Sequence, residues 1–441
     1  MSKHNKIIPE LRFPEFKESG EWEEKKISDL GDTISGLTGK SGEDFGAGKP
    51  YVTYKQVFDN SIIDFKKCGK VQIGKNENQN SLQMGDVLFT TSSETPNEVG
   101  FASVLINSPK EETYLNSFCF ALRPFDIEKT QPQFFRHLFY SPIYRKSVTA
   151  IAQGSTRYNL SKGAFLELQV PIPNPKEQQK IAACLSSLDE LISAHSQKLE
   201  LLKAHKKGLM QNLFPQEGKK VPKLRFPEFK DCGEWEEETL GKVYDFKSTN
   251  SLSWEHLSYE KGIVKNIHYG DIHTTFSTLF DITKEKVPYI KHCVPVKIKK
   301  DNYCIERDII FADASENIDD IGKSIEIINL NNEKLVSGLH TLLARQRKQK
   351  LAIGFGGYLF KSDWVRKQIQ REAQGAKVLG ISATRISRIR ILFPQNIIEQ
   401  QKIASCLSSL DELITAQSKK IEQLKQHKKG LMQGLFPKIN E

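Results

Sequence analysis

The chain has 441 residues, enough for about three ordinary domains at roughly 150 residues each. Hydrophobic residues at 38% and charged residues at 27% describe a folded protein and exclude wholesale disorder. A net charge of +10 with a pI near 9.0 favours a polyanionic partner such as nucleic acid. No apolar run has the length a bilayer requires, and MSKHNKIIPELRFPEF lacks the apolar stretch of a signal peptide, so no membrane partner and a cytoplasmic location are expected. The seven cysteines are scattered without a C-x-x-C pair, and no metal site is expected.

Taken along the chain, residues 1–23 carry the first element, the short motif IPELRFPEFKESGEWEE, which runs from Ile8 to Glu24. Residues 24–173 form a block that reads as mixed α/β. GDVLFTTS from Gly85, FASVLI from Phe101 and LELQVPIP from Leu166 predict strands, and QPQFFRHLFYSPIYRKSV predicts helix. Polar loops on such a scaffold are where recognition residues reside. Two stand out, TTSSETPNEVG from Thr90 and QGSTRYNLS from Gln153. They offer Thr91, Ser92, Ser93 and Asn97, then Ser155, Thr156, Arg157, Tyr158 and Asn159, side chains that can reach phosphates and base edges; Lys55 is a further candidate.

Residues 174–236 carry EQQKIAACLSSLDELISAHSQKLELLKAHKKGLMQNLF from Glu177 to Phe214. Ile181, Leu185, Leu188, Ile192, His195, Leu199, Leu202, Lys206, Leu209 and Leu213 follow the alternating four-and-three spacing of a heptad seam. At about 1.5 Å per residue such a helix spans about 57 Å. Asn174, with Glu177 three residues on, predicts a capping box, and Pro175 suits the first helical position. Lys203, Lys206 and Lys207, then Lys219, Lys220, Lys223 and Arg225, form basic clusters that read first as a solvated face and second as phosphate or partner contacts.

The whole pattern then repeats. VPKLRFPEFKDCGEWEE starts at Val221, residues 237–395 form a second mixed α/β block, and residues 396–441 carry EQQKIASCLSSLDELITAQSKKIEQLKQHKKGLMQGLF. The two long segments agree at about four positions in five, whereas the blocks between the motifs have diverged almost beyond recognition. RDIIFADAS, SIEIINL, GYLFKSDWVRKQIQ and ISRIRILFP offer elements parallel to those of the first block. The second block's loops, ADASENIDDIG from Ala312 and QGAKVLGIS from Gln374, contribute Ser315, Asn317 and Lys377, with Asn266 and His268 as further candidates.

The second seam runs through Ile403, Leu407, Leu410, Ile414, Gln417, Ile421, Leu424, Lys428, Leu431 and Leu435, behind an Asn396 cap with Glu399. Lys425, Lys428 and Lys429 form its basic cluster. Neither helix can leave such a seam in water, so the two are expected to pair, antiparallel, with His195 and Gln417 as polar seam positions that help register. The fold class expected is therefore α/β, mixed α+β: two recognition domains separated by an antiparallel coiled coil, with an internal pseudo-two-fold repeat.

Enzyme signatures are missing. Gly39-Lys40-Ser41 has Ile34 where a P-loop needs its first glycine, and FGAGK and GFGG do not sit in a βαβ unit. No N/D-P-P-Y/F, H-E-x-x-H, G-x-S-x-G or kinase signature occurs, and catalytic residues are expected to be none.

With LRFPEF and GEWEE at both repeat starts, and EQQKIAxCLSSLDELI followed by LKxHKKGLMQxLFP at both repeat ends, the chain resembles the specificity subunit of type I restriction-modification systems over essentially its whole length. The resemblance implies that each variable block reads one half of a split double-stranded DNA target and that the paired helices act as a spacer. It also implies methyltransferase and restriction subunits as partners, which carry S-adenosylmethionine, ATP and magnesium, this chain holding no cofactor. GSTRYNLS from Gly154 resembles a loop common near the end of such recognition domains, and GAKVLGIS from Gly375 departs from it. The alternative from another class is a coiled-coil adaptor that joins proteins without reading DNA.

Overall fold

The computed structural model describes residues 7–438 apart from Ile263 and Val296. The chain divides into two compact units. One holds the residues up to Ser196 together with those from Lys419 onward, and the other is Gln197–Ser418.

The first unit is built on an antiparallel sheet whose strand order is Gly31–Ser35, Cys119–Pro124, Val87–Thr90, Ala102–Val104. Val87–Thr90 is buried along its whole length, as its run of apolar and β-branched residues requires of a central strand. Phe89 meets the rings of Phe120, Phe139 and Phe165 with centroids 4.7 to 5.3 Å apart, which fixes the sheet against its helices. The segment expected to be helical forms two helices, Pro132–Leu138 and Pro142–Ala150. Pro142 cannot donate to the preceding turn, so the helix restarts there with the Ser141 hydroxyl accepting the Tyr144 N–H.

The repeated motifs fold onto each other, which explains why they recur together. Strand Glu23–Lys26 of the short motif pairs antiparallel with Gln169–Ile172, just before the first long helix, and Glu236–Thr239 pairs likewise with Arg390–Phe393. Arg12 forks onto Glu177 through two bonds of 2.8 Å, and the Trp22 indole N–H donates to the same carboxylate at 3.2 Å. Arg225 forks onto Glu399 at 2.7 and 2.8 Å. Both glutamate side chains are 1% exposed.

Half of the expected capping box is therefore corrected. Asn174 does accept the Glu177 N–H at 3.0 Å, and Asn396 accepts the Ile398 N–H at 2.9 Å. The glutamate carboxylates do not turn back to the cap but neutralise a buried guanidinium, a stronger claim on a buried anion than one backbone N–H. Arg225, read as part of a basic surface cluster, is likewise an internal ion-pair partner.

The long helices run Pro175–Leu213 and Ile397–Leu435. Within the first unit, Ile181 and Leu185 from the start of one share a core with Met432 and Leu435 from the end of the other, so the pair is antiparallel. Within the second unit, Leu213 shares a core with Ile403, Ala404 and Leu407 in the same sense. Ile181, Leu185, Leu188, Leu213, Ile403, Leu407, Leu410, Gln417, Ile421 and Leu435 are buried, and the remaining apolar seam positions are half-buried. The seam lysines have partners: Lys428 bonds Asp189, which Arg136 also holds at 2.8 Å, and Lys206 bonds Asp411, which accepts the Tyr358 hydroxyl at 2.8 Å. These two lysines are therefore not part of a freely solvated basic face.

The second unit repeats the sheet with one strand more, in the order Tyr244–Lys247, Thr341–Gln346, Ile309–Ala312, Ser324–Asn329, Leu279–Asp281, the last pair parallel. Glu326 in this sheet is buried and accepts the N–H groups of Gly354 at 2.8 Å and Gly357 at 2.7 Å. Burial outweighs those bonds and pushes its carboxyl from 4.5 up to about 7. The folded state thus keeps a proton that the unfolded chain releases earlier. The contribution of this group to the stability of the unit is full at low pH and is lost as pH rises from about 4.5 to about 7, by about 3 kcal/mol. Denaturant unfolding between pH 5 and pH 8 should show the decline, and Glu326→Gln should flatten it; an equal slope in the variant would rule Glu326 out as its source.

Candidate nucleic-acid interface

In the first unit three loops converge beyond the end of Val87–Thr90. Ser92–Ser93 pairs antiparallel with Tyr158–Asn159, and Gln153 and Asn159 exchange backbone bonds of 3.0 and 2.7 Å, closing the 153–159 loop. Gly154 makes that closure possible: its φ is +134°, and a Cβ there would lie 2.1 Å from the Arg157 carbonyl oxygen. The loop presents Ser155, Thr156, Arg157 and Asn159 to solvent, with Tyr158 half-buried. Arg157 Nε donates to Ser92 Oγ at 3.2 Å while its guanidinium lies 5.8 Å from the Phe118 ring centroid. The Tyr54 hydroxyl donates to the Ser92 carbonyl at 2.6 Å, and the Thr91 hydroxyl donates to the Phe118 carbonyl at 2.8 Å.

The other first-block candidates have different places. Ser92 and Ser93 are buried, and the Ser93 hydroxyl donates to Glu98 at 3.1 Å, so they shape the loop from within. Asn97 is exposed, with its carbonyl tied to Arg145 at 2.7 Å. Lys55 is exposed and 2.6 Å from Asp59, its neighbour one helical turn on.

The second unit has the same construction with other side chains. Ala314–Ser315 pairs with Leu379–Gly380, and Gly375 at φ +129° would place a Cβ 2.0 Å from the Val378 carbonyl oxygen. The pairing of Ser93 with Tyr158 and of Ser315 with Leu379 puts Val378 where the first unit has Arg157, and Lys377 where it has Thr156. Lys377 and Asn317 are exposed, and Ser315 is buried with its hydroxyl accepting the Asn317 N–H at 3.1 Å.

Asn266 and His268, expected among the contact residues, are not presented to solvent. Asn266 is 0% exposed in a strand, bonded to Asn250 at 2.7 Å. His268 is buried beside Trp254 and Tyr269, and its Nδ1 accepts the Gly270 N–H at 3.2 Å as the cap of helix Tyr269–Thr274. Burial holds its imidazole below the usual range. The polar type of these residues suggested a surface, but the sheet and the aromatic stack enclose them.

Tyr54 and Phe118 at the face of the first unit, and Tyr269, Asp313 and His340 at that of the second, were missed by sequence reasoning. Phe118 is 56% exposed, and His340 reaches Asp313 with Nδ1 and Oδ1 3.2 Å apart while its ring sits 5.2 Å from Tyr269. Behind both faces the fastening is the same. Arg123 forks onto buried Asp86 and Arg345 onto buried Asp308; Arg145 binds the carbonyls of Asn97 and Val99, and Arg366 those of Asp319 and Ile321. This fastening and the tips both lie inside the diverged blocks, outside the repeated motifs, which is why the sequence showed a repeat without showing these tips.

Away from the tips, each unit also has a basic cleft beside its helix pair. In the first, Arg136, Lys425, Lys428 and Lys429 face Phe58 and Tyr140 around about 620 Å³; in the second, Lys203, Lys206 and Lys207 face Tyr358 and Lys361 around about 410 Å³. Among the described residues no group of three or more His, Cys, Asp or Glu is placed to hold a metal ion, and no helix is long and apolar enough to cross a membrane.

One scaffold used twice, fastened alike and tipped differently, defines a duplicated target-recognition protein. The chain belongs to the type I restriction modification DNA specificity domain family, whose model matches residues 19–204 and 233–426. The type I restriction enzyme MjaVIII specificity subunit of Methanocaldococcus jannaschii is 26% identical over 440 residues, covering 96% of this chain and 92% of that one. The crystal structure of the type I restriction-modification S subunit from M. genitalium covers 98% of this chain and 100% of its own, with a TM-score of 0.58 at 15% identity. A chain from a structural study of complex assembly and conformational transition of the type I R-M system covers 94% of this chain and 97% of its own, with a TM-score of 0.55 at 15% identity. Recognition of a DNA target is the function this membership assigns.

Proposed function

We propose that each face reads one half of a bipartite duplex DNA sequence, and that this chain is the non-catalytic specificity subunit of a cytoplasmic type I restriction-modification complex. The observation that carries the reading is the pair of faces built by the same strand pairing and loop closure with unlike exposed side chains: two readers of one design serve two different half-sites. The exposed Ser155, Thr156, Arg157, Asn159, Asn317 and Lys377 are its candidate contacts, phosphate bonds supplying affinity and base edges discrimination. Methyltransferase and restriction subunits complete the complex and bring S-adenosylmethionine, ATP and magnesium; the study of complex assembly that yielded one structure of similar fold supports this part.

Exchanging residues 24–173 for the matching block of a related protein, within the complete complex, should replace one half-site and leave the other intact. Methylation mapping reads both at once. A simultaneous change of both half-sites would overturn the two-reader assignment, and an unchanged target would favour an adaptor that does not read DNA. On duplex DNA, log K should fall against log salt by about 0.9 per phosphate neutralised.

A further inference from the structure

Two backbone bonds place Phe118 and His340 at the same point of the two domains. The Phe118 carbonyl accepts the Thr91 N–H at 3.0 Å, and the His340 carbonyl accepts the Asp313 N–H at 3.0 Å. Two residues earlier, the Asn116 N–H donates to Val52 at 3.0 Å and the Gly338 N–H to Ile267 at 2.9 Å. Each residue therefore tips the turn that enters the sheet's second central strand, Cys119–Pro124 or Thr341–Gln346. A tyrosine stands at the same place beside each turn: Tyr54 follows Val52 by two residues, as Tyr269 follows Ile267. The surroundings are thus held constant while the tip changes from an aromatic ring to an imidazole.

Neither tip serves the core. Phe118 leaves more than half its surface in water, an unfavourable position for so large an apolar side chain, and the His340 side chain is 50% exposed. His340 also has φ +54°, a left-handed conformation uncommon outside glycine and found where structure constrains a functional position. Phe118 lies beside the Arg157 guanidinium, and His340 beside the Asp313 carboxylate and the Tyr269 ring.

We infer that Phe118 and His340 are equivalent specificity-determining residues, each reading one base pair of the half-site bound by its own domain. This rests on the bipartite reading proposed above. Phe118 offers an apolar face suited to a thymine methyl group, with Arg157 beside it as a donor to guanine. His340 Nδ1 lies 3.2 Å from Asp313 Oδ1; in the tautomer with the proton on Nδ1, Nε2 is an acceptor, suited to the exocyclic amino group of adenine or cytosine.

The test uses the complete complex, with binding to duplexes substituted one base pair at a time and with methylation mapping. His340→Gly keeps the left-handed turn and removes the imidazole; it should lower discrimination at one position of the second domain's half-site by about 10- to 100-fold, with the first half-site unchanged. Phe118→Ala should do the same in the other half-site. His340→Asn, which also tolerates the left-handed turn, should shift the preferred base at that same position, and it serves if the glycine variant fails to assemble. Unaltered preference at every position in a variant that assembles overturns the inference. A failure of the underlying reading shows separately, because the unsubstituted complex would then have no preferred duplex.

Discussion

Replacing Arg12 with alanine should cost the first unit about 3–5 kcal/mol, among the largest effects expected of any single change in this chain. The substitution leaves the Glu177 carboxylate buried, with the Trp22 indole N–H and its own backbone surroundings in place of a two-pronged guanidinium. Arg12→Lys should fall between, because an ammonium cannot match both oxygens at once. Removing both charges, as in Arg12→Leu with Glu177→Leu, should recover much of the loss, since no uncompensated ion then remains. Hydrogen exchange resolved along the chain provides the measurement: protection should drop in Glu23–Lys26 and Gln169–Ile172 and hold in Glu236–Thr239 and Arg390–Phe393, where Arg225 and Glu399 stay paired. Equal loss in both sets would show that the pair is not local to its own repeat.

Lengthening both long helices by four residues should lengthen the gap between half-sites by about one or two base pairs, because four helical residues add about 6 Å and a base pair about 3.4 Å. The insertions belong after Ser193 and after Thr415, equivalent positions that are exposed and lie off the seam. Both are needed. Asp189 with Lys428 fixes the helix pairing inside the first unit, and Lys206 with Asp411 fixes it inside the second, so extending one helix alone puts one of these contacts out of register. Four residues keep the apolar stripe roughly in phase, as a stutter does in a coiled coil. Methylation mapping of the doubly extended complex should return the same two half-sites further apart; the original gap in an active complex would mean that the helices do not set the spacing. Leu202→Pro is the disruptive counterpart, expected to cost about 3 kcal/mol or more by removing a helical bond and forcing a kink.

The architecture was legible because it rests on periodicity and repetition. A heptad seam shows in any helix that must cover a stripe, and near-identical connectors around unlike blocks show a duplication without any knowledge of contacts. Ile181, Leu185, Leu188, Ile403, Leu407 and Leu410 could therefore be assigned inward from spacing alone. QGSTRYNLS and QGAKVLGIS were likewise legible as polar loops, and in the structure each closes over a glycine, Gly154 or Gly375.

Side-chain destinations were another matter, because they depend on residues far apart in the chain. Glu177 followed a local capping rule in sequence, yet its carboxylate is taken by Arg12, 165 residues away. Asn266 and His268 have the polarity of surface residues and lie inside, while Phe118 has the polarity of a core residue and lies outside. Sequence by itself determined the duplicated plan, the two helices and the family. Only the tertiary structure decided which residues stand at each face, since exposure is set by which strands and loops happen to cover a position, and no periodicity encodes a turn tip.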